Sequence, residues 1–197
     1  MQEIWLVRHA PVAVKGLCYG QSDVPCLLGP TEAAEQVASQ LQPFREVWAS
    51  PWARAREVAQ RLATHWGATL HLDARLSEMS FGEWEGRPFS ELEQADPVRF
   101  SAWMADWKTL SPPGGEALAD FLARTGAWLE ERRKQPSGAL LAVTHAGVIR
   151  MLRAHARGLS PEAALAEPVE PLRPERLSPT VPGKRLNSER LPPPESA

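Results

Sequence analysis

Two short apolar runs constrain this chain most, Ile4-Trp5-Leu6-Val7 and Ala139-Leu140-Leu141-Ala142-Val143-Thr144, because the first leads into Arg8-His9 and the second into His145. Aliphatic runs of this length read as strands buried on both faces of a sheet. Neighbours in a strand point to opposite faces, so Arg8 and His9 can reach one ligand only where the strand ends. In open parallel α/β sheets that C-terminal lip is where ligands bind. An arginine there offers a planar fork of donors suited to phosphate, and a neutral imidazole is a nucleophile or base near pH 7. Taken alone, the dipeptide also reads as a satisfied histidine beside a surface arginine.

The rest of the chain supplies layers for such a sheet. Glu46-Val47-Trp48-Ala49 and Thr69-Leu70-His71-Leu72 are two further strand candidates. Gly29-Pro30 opens a helix whose Ala34, Val37, Ala38 and Leu41 share one face. Ser50-Pro51 reads as an N-cap and first-turn proline for a helix buried through Ala55, Val58, Ala59, Leu62 and Trp66. Arg54 and Arg56 lie in its first two turns, where the macrodipole disfavours cations, as though an anion sat there. Helical periods also run through Leu118-Phe121-Leu122-Thr125-Trp128-Leu129 and Val148-Ile149-Leu152-Ala156, the latter following His145-Ala146-Gly147. The spacing predicts an α/β fold of three layers, a mostly parallel central sheet flanked by helices.

Three stretches lack a clean period. Residues 11–30 read as a long loop over the lip, and Cys18-Tyr19-Gly20-Gln21-Ser22-Asp23-Val24-Pro25 within it is either functional or a plain turn. Leu76 to Gly86 reads as a structured loop with Glu78, Glu83 and Glu85. One of these carboxyls held against Phe81 or Trp84 would have a raised pKa and act as a proton donor; otherwise all three are solvated. Phe89 to Trp107 reads as a helical excursion broken at Pro97, its aromatics covering the lip.

The chain of 197 residues suits one domain. Charge is balanced, 22 basic against 24 acidic residues without long runs, which argues against nucleic-acid or membrane partners. Two cysteines, Cys18 and Cys26, fit neither a disulfide framework nor a zinc pattern. With no signal peptide and no spanning segment, the expectation is a cytoplasmic protein. Residues 160–197 hold nine of the nineteen prolines. We expect a catalytic unit over 1–158, then a Pro-rich segment with one edge strand near 169–177 and a disordered tail without a catalytic role.

Arg8 and His9, Arg54 and His145 therefore fall at three strand ends on one sheet edge, and the ligand that this set suits is a phosphate. With Leu6-Val7-Arg8-His9-Ala10, Ser50-Pro51-Trp52-Ala53-Arg54-Ala55, Leu76-Ser77-Glu78, Phe81-Gly82-Glu83-Trp84-Glu85-Gly86, Gly114-Gly115-Glu116 and Thr144-His145-Ala146-Gly147-Val148-Ile149-Arg150 in this order, the chain resembles the histidine phosphatase superfamily, of phosphoglycerate mutase-like fold. The resemblance implies that His9 becomes transiently phosphorylated, that Arg8, Arg54 and His145 bind the transferring phosphoryl group, and that Glu78 protonates the leaving oxygen. It implies neither metal nor cofactor.

Ala10-Pro11-Val12-Ala13-Val14, Val58 and Ala117 depart from the common pattern, and the missing asparagine after the first histidine counts against mutase-like substrate geometry. The segment ending in Cys18 to Pro25 is similar to that of α-ribazole phosphatases, which act in cobalamin assembly. That similarity implies α-ribazole 5′-phosphate as substrate and Tyr19, Gly20, Ser22 and Ala146 among its contacts. A phosphoglycerate mutase, a broad-specificity sugar-phosphate phosphatase and a non-catalytic phospho-ligand-binding module are the alternatives. The partner expected is a small phosphorylated metabolite; the oligomeric state is open, a homodimer included.

Overall fold

The computed structural model describes residues 2–136 and 138–177, so the expected tail over 178–197 lies outside the described residues. Five strands, β1 (Glu3–Arg8), β2 (Glu46–Ala49), β3 (Thr69–Leu72), β4 (Ala139–Thr144) and β5 (Glu175–Arg176), form one sheet in the order β3-β2-β4-β1-β5. Every pairing is parallel except that of β5, which runs antiparallel to β1. The helices are α1 (Pro30–Ala38), α2 (Ala53–Trp66), α3 (Phe89–Ala95), α4 (Pro97–Ala105), α5 (Leu118–Arg133), α6 (Ala146–Arg157) and α7 (Pro161–Leu165).

Alternation along the strands builds the two halves of the core. Ile4 and Leu6 of β1 and Leu140 and Ala142 of β4 pack with Phe121, Trp128 and Leu129 of α5 and Val148, Ile149 and Leu152 of α6. Val7, Leu141 and Val143 point the other way, onto Val37 of α1 and Ala55, Val58, Ala59 and Leu62 of α2. Full burial of each large aliphatic contributes about 1.5–3 kcal/mol. Strands with both faces covered need continuous apolar runs, which is why β1 and β4 stand out in the sequence. The result is the three-layer α/β architecture that the periodicity predicts.

Topology then fixes where a ligand can enter. The chain leaves β1 through α1 toward β2, and leaves β4 through α6 toward β5, so neighbouring strands lead away in opposite directions. Such a reversal opens a crevice at the C-terminal ends of the two strands. His9 follows β1 there, and His145 follows β4.

Two local expectations are corrected. Ser50 is not an N-cap: α2 starts at Ala53, and the side chain satisfying that end is Asp23, which accepts from the Ala53 N–H at 2.9 Å. Chain past residue 158 is part of the packed unit, with Ala164, Val169 and Leu172 buried in the core. Near the crevice, α4 has no buried residue of its own. It rests on a small cluster of Cys18, Trp84 and Leu92 through Phe100 and Trp103.

Candidate active site

The lip is held by strand-end hydrogen bonds: His9 N–H donates to the Thr144 carbonyl at 3.0 Å and Ser50 N–H to the Val143 carbonyl at 3.2 Å. The rings of His9 and His145 consequently meet at 5.2 Å between centroids, inclined by 63°. His9 Nδ1 lies 2.6 Å from its neighbour's carbonyl, that of Ala10. A carbonyl can only accept, so Nδ1 carries the proton and Nε2 keeps a free lone pair. Burial lowers the His9 pKa to about 3; the Ala10 bond opposes this, while Arg54 and Arg8 add to it. His145 is likewise held well below the ordinary value, by burial first and then by Arg54 and His9. Its Nε2 pairs with Ser50 Oγ at 2.8 Å, a role for Ser50 that capping statistics hide.

Arginines surround the two rings. Arg8 donates through Nη1 to the Val169 carbonyl at 2.9 Å. Arg54 donates to the carbonyls of Ser22 and Gly20 at 2.7 and 2.5 Å. Arg8 Nε, Arg54 Nε and His145 Nδ1 are buried without a hydrogen-bond partner among the described residues. Unmet nitrogens on three separate elements around one crevice, two of them guanidinium donors, suit an acceptor-rich anion. Arg150, on α6, lines the same cavity and was not singled out from the sequence. Burial pulls its pKa down while Glu78 pulls it up, which places that carboxylate within electrostatic reach.

Glu78 sits at the N-terminus of α6. Its carboxylate accepts from Gly147 N–H at 2.9 Å and from Met79 N–H at 3.1 Å, at the end of the helix that favours negative charge. A Cβ on Gly147 would collide with that carboxylate, so glycine is what lets Glu78 sit against the helix end. The loop carrying Glu78 is clamped from α5: Arg124 donates to the carbonyls of Arg75, Ser77 and Glu78 at 2.8, 2.7 and 3.0 Å. Glu116 holds Arg124 in turn, at 2.6 and 2.8 Å. This explains the Gly114-Gly115-Glu116 stretch, but an arginine on α5 carries no local signal for such a role.

The loop at 18–25 departs from expectation. Tyr19 and Ala146 line the cavity, whereas Gly20 and Ser22 do not. Their polar groups are taken up by Glu85, which accepts from the N–H groups of Gly20, Gln21 and Phe81 and from Ser22 Oγ, at 2.7–3.1 Å. Burial acts to raise the Glu85 pKa, but these donors outweigh it and the net shift is downward. Glu85 is thus an ionised anchor and not the raised-pKa acid that its aromatic neighbours suggest. Gly20 and Ser22 serve the site indirectly, through the carbonyls that orient Arg54. Arg56 also leaves the site; it donates to the Pro51 carbonyl and pairs with Glu57.

The cavity measures about 510 Å³. Arg8, His9, Arg54 and Glu78 line it together with the apolar Phe81, Trp103, Trp107, Phe121 and Met151. A larger depression of about 920 Å³ lies at the opposite edge of the sheet, around Trp5, Arg45 and Arg132, and holds none of these groups. Among the described residues no group of three or more His, Cys, Asp or Glu is placed to hold a metal ion. Nor is any helix there long and apolar enough to cross a membrane.

Comparison with known proteins finds similarity along most of the chain. The model of the histidine phosphatase superfamily (branch 1) matches residues 4–187. The adenosylcobalamin/α-ribazole phosphatase of Escherichia coli K12 is 30% identical over 165 residues, 81% of each chain. A glucosyl-3-phosphoglycerate phosphatase of Mycobacterium tuberculosis H37Rv is 30% identical over 138 residues, 64% of this chain and 61% of its own. The crystal structure of the α-ribazole phosphatase from Shigella flexneri superposes with a TM-score of 0.79 at 29% identity, covering 88% of this chain and 89% of that one.

Proposed function

Because the chain belongs to the histidine phosphatase superfamily (branch 1) and is a phosphatase, we propose that it hydrolyses phosphomonoesters in two steps through a phosphohistidine on His9. The observation that carries this reading is the fixed tautomer: Nδ1–H is spent on the Ala10 carbonyl, so Nε2 is free to attack phosphorus. In the first step the Nε2–P bond forms and the P–O ester bond breaks, with Glu78 in its acid form giving its proton to the leaving oxygen. In the second, water attacks phosphorus, the N–P bond breaks, and the Glu78 carboxylate takes the water proton. Arg8, Arg54 and His145 hold the phosphoryl oxygens, the two arginines supplying fixed positive charge and the neutral His145 a hydrogen bond, where negative charge spreads in a loose transition state.

The favoured substrate is α-ribazole 5′-phosphate. Support comes from the relatives named for it and from the wall of Phe81, Trp103 and Trp107, which suits a leaving group with a flat apolar base. A panel of α-ribazole phosphate, 3-phosphoglycerate, glucosyl-3-phosphoglycerate and sugar phosphates tests the substrate. The highest kcat/KM belongs to α-ribazole phosphate on this reading, and equal or better turnover of the carboxylated esters would overturn that choice. Alkaline quenching during turnover tests the mechanism, since a phosphohistidine survives base and is lost in acid. Isomerisation of 3-phosphoglycerate without phosphate release would point to a mutase instead.

A further inference from the structure

Two cavity arginines from different layers are tethered to one stretch of chain. Arg8, at the end of β1, donates to the carbonyl of Val169, and Arg150, on α6, donates through Nε to the carbonyl of Glu167 at 3.1 Å. We propose that residues 167–177 form a strap that orients both guanidinium groups toward the phosphoryl group, and that Arg153 is the positioning residue that holds the strap in place. The proposal rests on the phosphatase reading of the cavity.

The strap is fixed along its length by groups outside the cavity. Arg153 grips the Glu175 carboxylate as a two-pronged fork, one prong at 2.7 Å, and donates through its remaining nitrogen to the Pro168 carbonyl at 3.0 Å. Arg157 adds a second fork onto Glu167, at 2.7 and 2.8 Å. The Arg153 side chain is only 12% exposed, so its fork onto Glu175 is partly sheltered from water and stronger than a surface pair.

Between Glu167 and Glu175 the backbone is held in a conformation that it would otherwise avoid. Leu172 has φ of +55°, left-handed for a leucine, a conformation in which its Cβ crowds the following carbonyl oxygen. Its N–H donates to the Arg8 carbonyl at 3.0 Å, its own carbonyl accepts from Gln40 Nε2 at 3.0 Å, and its side chain is buried. Strain of this kind persists where the surroundings over-determine it, and here they do so against the residue that carries the phosphate-facing guanidinium. Arg150 and Arg153 leave successive turns of one helix, one toward the cavity and one toward the clamp.

The test is binding of inorganic phosphate by calorimetry, with turnover of an aryl phosphate alongside. Arg153→Ala weakens phosphate by about five- to tenfold, the coupling expected within one hydrogen-bond network. In an Arg8→Ala, Arg150→Ala background the same substitution changes phosphate affinity less than about twofold, because nothing is left for the strap to orient. An equal loss in both backgrounds, or none in the wild type, would overturn the strap. Should Arg153→Ala not fold, Glu175→Gln removes the charged partner while keeping its shape, and an unchanged phosphate affinity there would overturn the proposal equally. Wild-type protein that neither binds phosphate nor hydrolyses the ester would instead sink the reading of the cavity itself.

Discussion

The N–H of Gly147 donates to the Glu78 carboxylate at 2.9 Å, and no side chain larger than hydrogen fits between them. Helix α6 thus presents its N-terminus to the proposed acid, and a larger residue at 147 has to displace it.

Gly147→Ala is therefore expected to push Glu78 out of place while leaving the nucleophile intact. The loss in kcat should be about 10²-fold for an alkyl phosphate, whose leaving oxygen needs a proton, and much smaller for nitrophenyl phosphate. Steady-state kinetics on both esters check this, and Glu78→Gln should show the same split.

His9→Asn should lower turnover by about 10³-fold or more and remove the base-stable phosphoenzyme, with circular dichroism unchanged. Retention of wild-type turnover would remove His9 from its role.

The histidine pair also sets a pH dependence of stability. His9 titrates near 3 when folded, against an ordinary value of 6.5, so between these two the unfolded chain binds more protons. Above pH 6.5 His9 is neutral in both states and has no effect, and as pH falls toward 3 its buried neutral form costs the fold increasing stability. The slope is at most about 1.4 kcal/mol per pH unit per histidine. His145, shifted the same way, adds to it. Thermal melts from pH 7.5 to 4.5 should show this decline, shallower in His9→Asn and resisted by added phosphate.

Glu85→Gln should loosen the loop that seats Arg54. Four backbone or hydroxyl donor groups lose a charged acceptor, at a cost of about 1–3 kcal/mol. Denaturant midpoints give the stability loss, and weaker inhibition by vanadate reports the displaced guanidinium.

Trp103→Ala should raise KM for esters with a flat apolar leaving group by about tenfold while leaving glycerol phosphate nearly unaffected. Trp103 packs edge-on to Trp84 at 5.3 Å and Phe81 at 6.2 Å, so a melt should accompany the kinetics to separate wall from scaffold.

Much of this molecule is legible along the chain because its signals are local. Apolar runs of strand length fix β1 and β4, helical periods fix α2, α5 and α6, and the histidine at each strand end follows directly. Their convergence at one edge needs only the rule that parallel strands share a direction. Arg124, Arg150, Glu85 and Ser50 were not legible as site residues, although some lay inside recognised motifs. Each acts through a partner far away in sequence: Arg124 on the Glu78 loop, Glu85 on Gly20 and Ser22, Ser50 on His145. A buried arginine or carboxylate reads like a solvated one until its neighbours are known.

The residues past 158 show the division most clearly. Their proline content describes a chain poor in helix, and from that alone they read as one edge strand followed by a tail without a catalytic role. Only in three dimensions do the Glu167 and Val169 carbonyls meet Arg150 and Arg8. Local sequence determines which backbone shapes are cheap. Which donor a given carbonyl faces is decided by the packing of whole layers, because a hydrogen bond depends on a few ångströms of position and not on separation along the chain.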